Sequence, residues 1–490
     1  MIGENLLMVL PDTLHIEKIN EVYNVIDCEP SVAQELCDYF TFEVPGARFM
    51  PSYRSKIWDG KIRLYSVRDK LLYGGLLKHT LQFAKSRKYD TKIVNPEKFI
   101  PRDCKDLELF TNNLNLPIKP RDYQLSALVH AIQNEKCILL SPTASGKSLI
   151  IHMIIQYFSD MRSLIVVPTT SLVEQMFKDF QSYGIDSEKY FHKLYSGQSK
   201  DINKQHLITT WQSIFRLKTS FFEPFGVVIG DEAHGFKAKS LTAIMTKLVN
   251  CPIRIGTTGT LDDTKTHKFV LEGLFGPVFE VTTSKELIDA KYLADLKIHC
   301  IILKHPEDIC KEMKTATYHQ EINYIVGNEN RNKFICDMVE TLPGNTLVLY
   351  QLVEKHGEIL YNMMKERTNK PISFIHGGIS ADDREVIRMN TEKETTSIIV
   401  ASYGTYSTGI NIQNLHNVVF ASPSKSRIRN LQSIGRALRR TDKKTIANLF
   451  DVSDDIAYRT KNNYTLNHML ARLKIYNEQK FNYTIKTFDL

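Results

Sequence analysis

The sequence predicts an α/β fold: two α/β domains in tandem, each on a parallel sheet, preceded by a small basic α+β domain. Three observations carry this. From Lys136 onward one pattern recurs, a short apolar run, a turn of polar or small residues, then a longer helical stretch. The runs are continuous rather than alternating, as in strands buried on both faces and joined by helical crossovers. They also fall into two series, and 490 residues are too many for one ordinary core.

The first series is Cys137–Leu140, Leu164–Val167, Leu207–Thr210, Val227–Ile229 and Ile253–Gly256. The second is Leu347–Tyr350, Ile372–Ile375, Ile398–Ala401, Val418–Ala421 and Ile446–Phe450. A join is expected near Val281–Leu296, after the Gly/Pro-bearing LFGPVF. In the first hundred or so residues, Asp27–Phe42 reads as a helix after a short strand and Leu76–Lys88 as a basic helix. Phe49–Leu64 reads as extended segments around an Asp59-Gly60 turn. The tail, Tyr464–Asp489, reads as a helix and a short extended end packed on the second α/β domain. The expected domains are therefore 1–105, 106–288, 289–455 and a C-terminal helical extension, 456–490.

Hydrophobic residues at 42% and charged residues at 24% give a soluble globular balance. No run approaches the roughly 18 consecutive apolar residues of a membrane helix. The opening MIGENLLMVLPDTLHIEK lacks a basic n-region, so a cytoplasmic protein with no membrane partner is expected. None of the eight cysteines forms a CxxC pair, which indicates neither a zinc site nor a disulfide framework. The net charge of +8 is modest, but its distribution is uneven. Arg48–Lys98 holds thirteen Lys/Arg against four Asp/Glu, whereas Met1–Phe40 holds eight acids against one Lys. Such asymmetry marks either a nucleic-acid footprint or a solvated basic face.

Between the run CILL and the helical LIIHMIIQYF stands Ser141-Pro-Thr143-Ala144-Ser145-Gly146-Lys147-Ser148. A phosphate-binding loop needs inward backbone N–H groups at a helix N-terminus, where the dipole favours anions. It also needs a Lys for the β/γ-phosphates and a hydroxyl for Mg²⁺, here Lys147 and Ser148. The opening Gly of the general pattern is absent. Eighty-four residues beyond Lys147, the run Val227-Val-Ile-Gly ends in Asp231-Glu232-Ala233-His234. Acids ending a buried strand are costly unless they serve something. Asp231 would hold Mg²⁺, directly or through water, and Glu232 would orient the attacking water. The bland alternative is a helix cap. In Gln432-Ser-Ile-Gly-Arg436-Ala-Leu-Arg439, the two arginines stand i, i+3 and are expected on one helix face, converging on the γ-phosphate.

With these motifs in this order, Pro120–Asp451 resembles the superfamily-two helicases of the DEAH-box type, which implies RecA-like domains with ATP and Mg²⁺ as cofactors. KPRDYQ (Lys119–Gln124) resembles the adenine-reading segment, with Gln124 on the base edge and Arg121 beside it. IVVPTTSLVEQ, YSG and ITTWQS resemble strand-tracking motifs, which implies DNA contacts at Pro168, Thr169, Gly197, Thr210 and Gln212. TGT (Thr258–Thr260) resembles the motif coupling hydrolysis to movement, more commonly SAT. FIHGGISADDRE and IIVASYGTYSTGINI imply nucleic-acid contacts at Gly377 and Ser402 and a nucleotide approach at Gly409; Asn411 stands where the family usually carries an acid. WDGKIRL (Trp58–Leu64), VVPTT, TWQ, GRALR and EQKFNYTIKT extend the resemblance, over nearly the whole chain, to the UvsW-like recombination helicases of tailed phages. That likeness implies work on branched or single-stranded DNA, and on RNA–DNA hybrids. The implied protein partners are phage recombination and single-strand-binding proteins; the implied compartment is the host cytoplasm.

In the N-terminal region, Arg54, Lys56, Lys61 and Arg63 are expected to grip phosphates, which fixes position but not sequence. Tyr53 and Trp58 are either base-stacking platforms or, for Trp58 especially, core aromatics. Two other functions stay open: duplex translocation without strand separation, and a binding or annealing module with a vestigial ATPase.

Overall fold

The computed structural model describes residues 13–94, 106–195, 202–235, 238–261, 265–405, 412, 414–422, 424, 426–440 and 444–490. The chain divides into two compact units at Val281, apart from the tetrapeptide Pro142–Ser145, which groups with the second.

The first unit opens with β1 (Thr13–Lys18), β2 (Tyr23–Asp27), β3 (Thr41–Glu43), β4 (Lys61–Arg63), β5 (Tyr65–Ser66), β6 (Leu71–Tyr73) and β7 (Asp90–Val94). Five form a sheet in the order β5-β6-β2-β1-β7, and β3 pairs with β4 alone. Helix Pro30–Tyr39, started by a proline whose missing N–H has no helical partner to lose, buries Val32, Ala33, Leu36 and Cys37. The expected basic helix runs Leu77–Arg87. The expectation for Phe49–Leu64 needs correction: Pro51–Arg54 is a short helix behind a turn at Ala47–Phe49, and only Lys61–Arg63 is strand. Here too the missed signal is a proline at the first helical position.

This N-terminal sheet has its own strands but shares its core with a helix nearly two hundred residues further along the chain, Lys265–Phe275. One apolar cluster runs from Leu14, Leu36 and Phe83 to Leu271 and Leu274 of that helix. Phe42 lies 4.9 Å from Phe269, ring centre to ring centre, and His79 Nε2 stands 2.8 Å from the buried Glu272 Oε2. At Gly75 an added Cβ would lie 2.0 Å from the Glu272 carbonyl oxygen, so only glycine allows the approach. Glu21 and Lys136 pair at 2.6 Å.

The larger sheet of this unit comprises β8 (Lys136–Leu140), β9 (Arg162–Val167), β10 (Phe191–Leu194), β11 (His206–Thr210), β12 (Phe225–Gly230), β13 (Ile253–Thr258) and β14 (Val278–Glu280). All are parallel, in the order β10-β11-β9-β12-β13-β8-β14. The five expected strands are its interior; the two it adds are its edges. Helix Lys147–Tyr157 is buried without a break from Leu149 to Ile155, as befits a helix apolar on every side.

Two histidines sit in this core with Nδ1 lacking a hydrogen-bond partner: His152, against Phe180 and Tyr183, and His206, against Phe191. Burial pushes both down to about 4. Their pKa is depressed on folding, so between about 6.5 and about 4 the unfolded chain binds more protons than the folded one. Stability present above that window is lost as pH falls through it. Denaturant midpoints measured across the window should fall with pH. His206→Phe should flatten the decline by at most about 1.4 kcal/mol per pH unit; an unchanged slope would remove His206 from the account.

The second unit is a second parallel sheet: β15 (Asp295–Lys304), β16 (Thr346–Tyr350), β17 (Ile372–Ile375), β18 (Ile398–Ser402), β19 (Asn417–Phe420), β20 (Ile446–Asp455) and β21 (Tyr483–Asp489). Its order is β17-β18-β16-β19-β20-β15-β21. The expected extended tail is thus β21, a full edge strand in parallel register on β15. Helix Tyr464–Glu478, between β20 and β21 in sequence, is pinned through Arg472. Arg472 donates to both Asp451 carboxylate oxygens (2.8 and 2.7 Å), to Ser453 Oγ (2.6 Å) and to the Ser424 carbonyl (2.9 Å). Glu321 caps the same helix, accepting from the backbone N–H groups of Tyr464 and Thr465. Two seven-stranded parallel sheets agree with the α/β expectation of tandem RecA-like domains. No helix among the described residues is long and apolar enough to cross a membrane.

Candidate active site

The loop after β8 is tied down at its start, where the Ser141 N–H donates to the Thr258 carbonyl at the end of β13 (2.9 Å). Two of its residues turn left-handed, Ala144 (φ +68°) and Gly146 (φ +80°). Ala144 adopts this conformation without being glycine, a local strain of the kind that collects at binding loops. At Gly146 an added Cβ would stand 2.4 Å from Gln124 Nε2, so the Gln124 side chain lies directly against the loop. Gln124 is held there because its Oε1 accepts the Arg121 N–H (2.9 Å), and Arg121 Nη1 donates to the Tyr123 hydroxyl (3.0 Å). The backbone thus joins the expected base-reading and phosphate-cradling residues. Thr143 and the buried Ser145 complete the loop, with Ser145 N–H donating to the Pro142 carbonyl.

Lys147 opens its helix, donates Nζ to the Ser141 carbonyl (3.4 Å) and stands 3.5 Å from Glu232 Oε1. Ser148 Oγ shares a hydrogen bond with the Tyr183 hydroxyl (2.8 Å), thirty-five residues away. Asp231 follows β12 directly; its N–H donates to the Val166 carbonyl, and its buried Oδ1 accepts from Thr257 Oγ1 (2.6 Å). Burial, reinforced by the Glu232 charge, raises Asp231 above the usual carboxylate range. Glu232 takes a left-handed turn (φ +49°), and its Oε2 lies 3.4 Å from His234 Nδ1. The His234 tautomer follows from its neighbours. Thr258 Oγ1 donates its one proton to the Thr260 carbonyl (2.8 Å), so at 2.6 Å it must accept from His234 Nδ1–H. Asp231 is thereby linked to Thr257, the residue before TGT, and His234 to Thr258 within it. Two site residues, Thr257 and Tyr183, were not expected from the sequence. Thr257 adjoins TGT and was within reach of inspection; Tyr183 carries no sequence signal.

Four expected DNA-contacting residues come together at the carboxyl ends of the adjacent strands β9 and β11. Gln212 Nε2 donates to the Pro168 carbonyl (3.3 Å), Thr169 Oγ1 caps helix Thr170–Ser182, and Thr210 Oγ1 bonds Ser213 Oγ. In open parallel sheets this is the end where ligands bind. Gly197 lies outside the described residues, as do Gly409 and Asn411. Among the N-terminal candidates, Arg54, Lys56, Lys61 and Arg63 are all exposed. Arg63 pairs with Asp59 at 2.6 Å. Trp58 is half-buried and donates its indole N–H to the Lys61 carbonyl (2.8 Å), which makes it the clasp of its turn.

In the second unit, Ser402 ends β18 and hydrogen-bonds Thr405, and Gly377 follows β17 with open space where a Cβ would be. Gln432 and Arg436 lie on helix Arg427–Ala437. Arg439 does not share that helix, contrary to the i, i+3 expectation: the helix ends at Ala437, and Arg439 forms a β-bridge with Leu293. The buried Lys444 Nζ donates to the Ala437 carbonyl at the helix C-terminus, and burial, with the Arg439 charge, pushes this amine down to about 7.

This geometry can be set beside known proteins. Residues 14–94 match the family described as DNA helicase UvsW, N-terminal; 117–263 match the Type III restriction enzyme res subunit, and 330–441 the helicase conserved C-terminal domain. Over 493 aligned residues the chain is 34% identical to the ATP-dependent DNA helicase UvsW of Enterobacteria phage T4, covering 95% of this chain and 97% of that one. This chain belongs to the UvsW family of ATP-dependent DNA helicases. The crystal structure of T4 UvsW superposes with a TM-score of 0.52 at 32% identity, over 97% of this chain and 99% of that one. A more distant relative, the DNA 3'-5' translocase XPB2 of Sulfurisphaera tokodaii, is 22% identical over 67% of this chain and 80% of its own length. As a UvsW-family member the chain is a superfamily-two, ATP-hydrolysing DNA helicase.

Proposed function

We propose that this helicase unwinds or branch-migrates branched DNA, including Holliday junctions, forks, D-loops and R-loops, in phage recombination, repair and replication. The observation carrying this reading is the N-terminal sheet, with its exposed cations, seated on the helix that comes after TGT. A DNA grip built onto the nucleotide-responsive unit suits an enzyme that must hold one arm while another moves.

In the proposed cycle Lys147 and the N–H groups of residues 143–146 take the phosphates, while Gln124 and Arg121 read the base. Glu232 orients the attacking water. Gln432, Arg436 and Arg439 are the proposed γ-phosphate sensors, with Gly409 beside the nucleotide. Ser148 and Asp231 would hold Mg²⁺. The donor set fits that ion: a hydroxyl and a buried carboxylate crowded by Glu232 leave negative charge that Lys147 alone does not balance. Bound there, Mg²⁺ would neutralise phosphate charge. Pro168, Thr169, Gly197, Thr210, Gln212, Gly377 and Ser402 would track the strand.

The test is ATP hydrolysis at fixed salt with no nucleic acid, single-stranded DNA, duplex, four-way junction and RNA–DNA hybrid. Greatest stimulation by the junction, lost in Lys147→Ala, is expected. Stimulation by plain duplex alone, without strand displacement, would replace this reading with duplex translocation. The match to a restriction res subunit keeps that alternative in view.

A further inference from the structure

The C-terminal strand β21 ends the second sheet with its outer edge open. No strand among the described residues pairs beyond it, and every residue from Thr484 to Asp489 is exposed. The Leu490 N–H donates to the Lys304 carbonyl, so by the two-residue alternation of a parallel pair the even-numbered residues bond β15. The N–H and C=O groups of Ile485 and Thr487 therefore point outward, away from the sheet. Ile485 (48%) and Phe488 (40%) stand exposed on opposite faces of the strand. Such an edge is a template for a further strand.

A groove of about 420 Å³ adjoins the amino end of this edge, with Lys297, Lys480, Tyr483 and Thr484 in its lining. Its two acids are already matched: Asp289 pairs with Lys285 (2.7 Å) and Asp295 with Lys291 (3.1 Å). Glu286, which feels the Lys480 charge, accepts from the Thr283 N–H and the Thr282 hydroxyl. Lys297, Lys480 and, midway along β21, Lys486 are exposed and form no ion pair among the described residues. The surface thus offers ladder groups to a peptide backbone and unmatched positive charge to its side chains. A second copy of this chain suits it poorly: self-pairing centred on the strand sets Lys486 opposite Lys486, and like charges directly opposed are destabilising. The phosphates of nucleic acid meet only half of it, since they accept hydrogen bonds but donate none to the Ile485 and Thr487 carbonyls.

We propose that β21 is the docking edge for an acidic, extended segment of a partner protein, which adds a further strand to the second sheet. The segment's backbone pairs with Ile485 and Thr487, an apolar side chain packs beside Ile485, and its acids reach Lys297, Lys480 and Lys486. Main-chain hydrogen bonds supply affinity, while the lysines select acidic sequences and reject a second copy. None of these residues belongs to the candidate active site, so the docking edge is independent of the branched-DNA reading.

The experiment titrates the full chain with fluorescein-labelled synthetic peptides, read by anisotropy. Two peptides place a run of Asp after or before an alternating Val/Thr stretch, for antiparallel and parallel pairing. Comparison peptides carry Lys in place of Asp, or N-methyl groups throughout the Val/Thr stretch. The variants are Ile485→Pro, which removes an outward N–H while sparing the bonds to β15, and Lys297→Glu/Lys480→Glu. One acidic peptide should bind wild type saturably, and its Lys and N-methyl counterparts should not. Ile485→Pro should weaken binding about tenfold, the scale of one interface hydrogen bond. The lysine reversal should weaken it by about as much and flatten its salt dependence. In wild type alone, hydrogen exchange at the Ile485 and Thr487 amides should slow when the peptide is bound, which tests the edge even if the proline variant does not fold. Melting temperature and basal ATP hydrolysis establish that each variant is folded. No saturable binding of either acidic peptide, or equal binding of the N-methyl peptide, would overturn strand addition. Protection of the same two amides by oligothymidylate instead would reassign the surface to nucleic acid. Dimerisation of wild type that Ile485→Pro abolishes would assign it to a second copy. Either result would overturn the proposal.

Discussion

Glu232→Gln is expected to reduce ATP turnover by about 10²–10⁴-fold, the range for removing a general base or water-orienting carboxylate, while ATP binding changes little. The two effects separate if, as proposed, Glu232 serves the attacking water while Lys147 and the loop N–H groups take the phosphates. Its carboxylate stands 3.5 Å from Lys147 Nζ and 3.4 Å from His234 Nδ1, held over the loop by a left-handed backbone turn. The amide keeps that shape but neither carries charge nor accepts a proton. Losing the negative charge also relieves Asp231, whose carboxyl Glu232 helps to raise, so nucleotide affinity is expected to hold or rise. Single-turnover hydrolysis and equilibrium binding of a fluorescent ATP analogue check both halves. Turnover within a few-fold of wild type would remove Glu232 from the chemistry; equal loss of binding would make its role structural.

Asp451→Asn should destabilise the second unit by about 3–5 kcal/mol, the usual consequence of removing one partner from a buried ion pair. Arg472 is fully buried and donates to the Asp451 carboxylate and to two neutral acceptors, Ser453 Oγ and the Ser424 carbonyl. The Tyr476 hydroxyl also donates to Asp451 (2.8 Å), so the variant weakens a second buried donor. The double substitution Asp451→Leu/Arg472→Met removes both charges and should be less destabilised than either single one. Urea titrations of the four proteins measure this coupling. Strict additivity would mean that the pair contributes nothing beyond its separate side chains. Ser424 also accepts from Asn430 at the start of helix Arg427–Ala437, so the cluster braces the segment that carries Gln432 and Arg436.

Sequence alone showed what is local and what is buried on both faces. All ten apolar runs became strands, nine of them interior and one, Ile372–Ile375, at an edge, because Val, Ile and Leu are the residues a covered strand requires. The edge strands Phe191–Leu194 and Val278–Glu280 are short and partly solvated, so they left no such run. Strand Asp295–Lys304 was hidden by Asp295, Lys297, His299 and Lys304, charges and polarity that a two-faced pattern does not accommodate. The phosphate loop and the DEAH strand end were readable as contiguous spellings. The partners that hold them were not, since Thr257–Asp231 and Tyr183–Ser148 are set by folding across 26 and 35 residues. The same holds for Arg331 with Asp454, 123 residues apart. Arg439 shows the limit of periodicity: i, i+3 spacing places two residues on one face only while the helix lasts.

The shared core beneath the N-terminal sheet decides what kind of machine part that sheet is. A module on a tether samples a volume, and its hold on DNA slackens whenever the motor moves. Phe40, Phe42 and His79 instead close over Phe269, and Gly75 meets Glu272 backbone to backbone. Any advance of the first unit therefore carries this sheet with it as one body, a bracket bolted to the engine block; if the sheet holds DNA as proposed, displacement along one arm is not absorbed as slack in a linker.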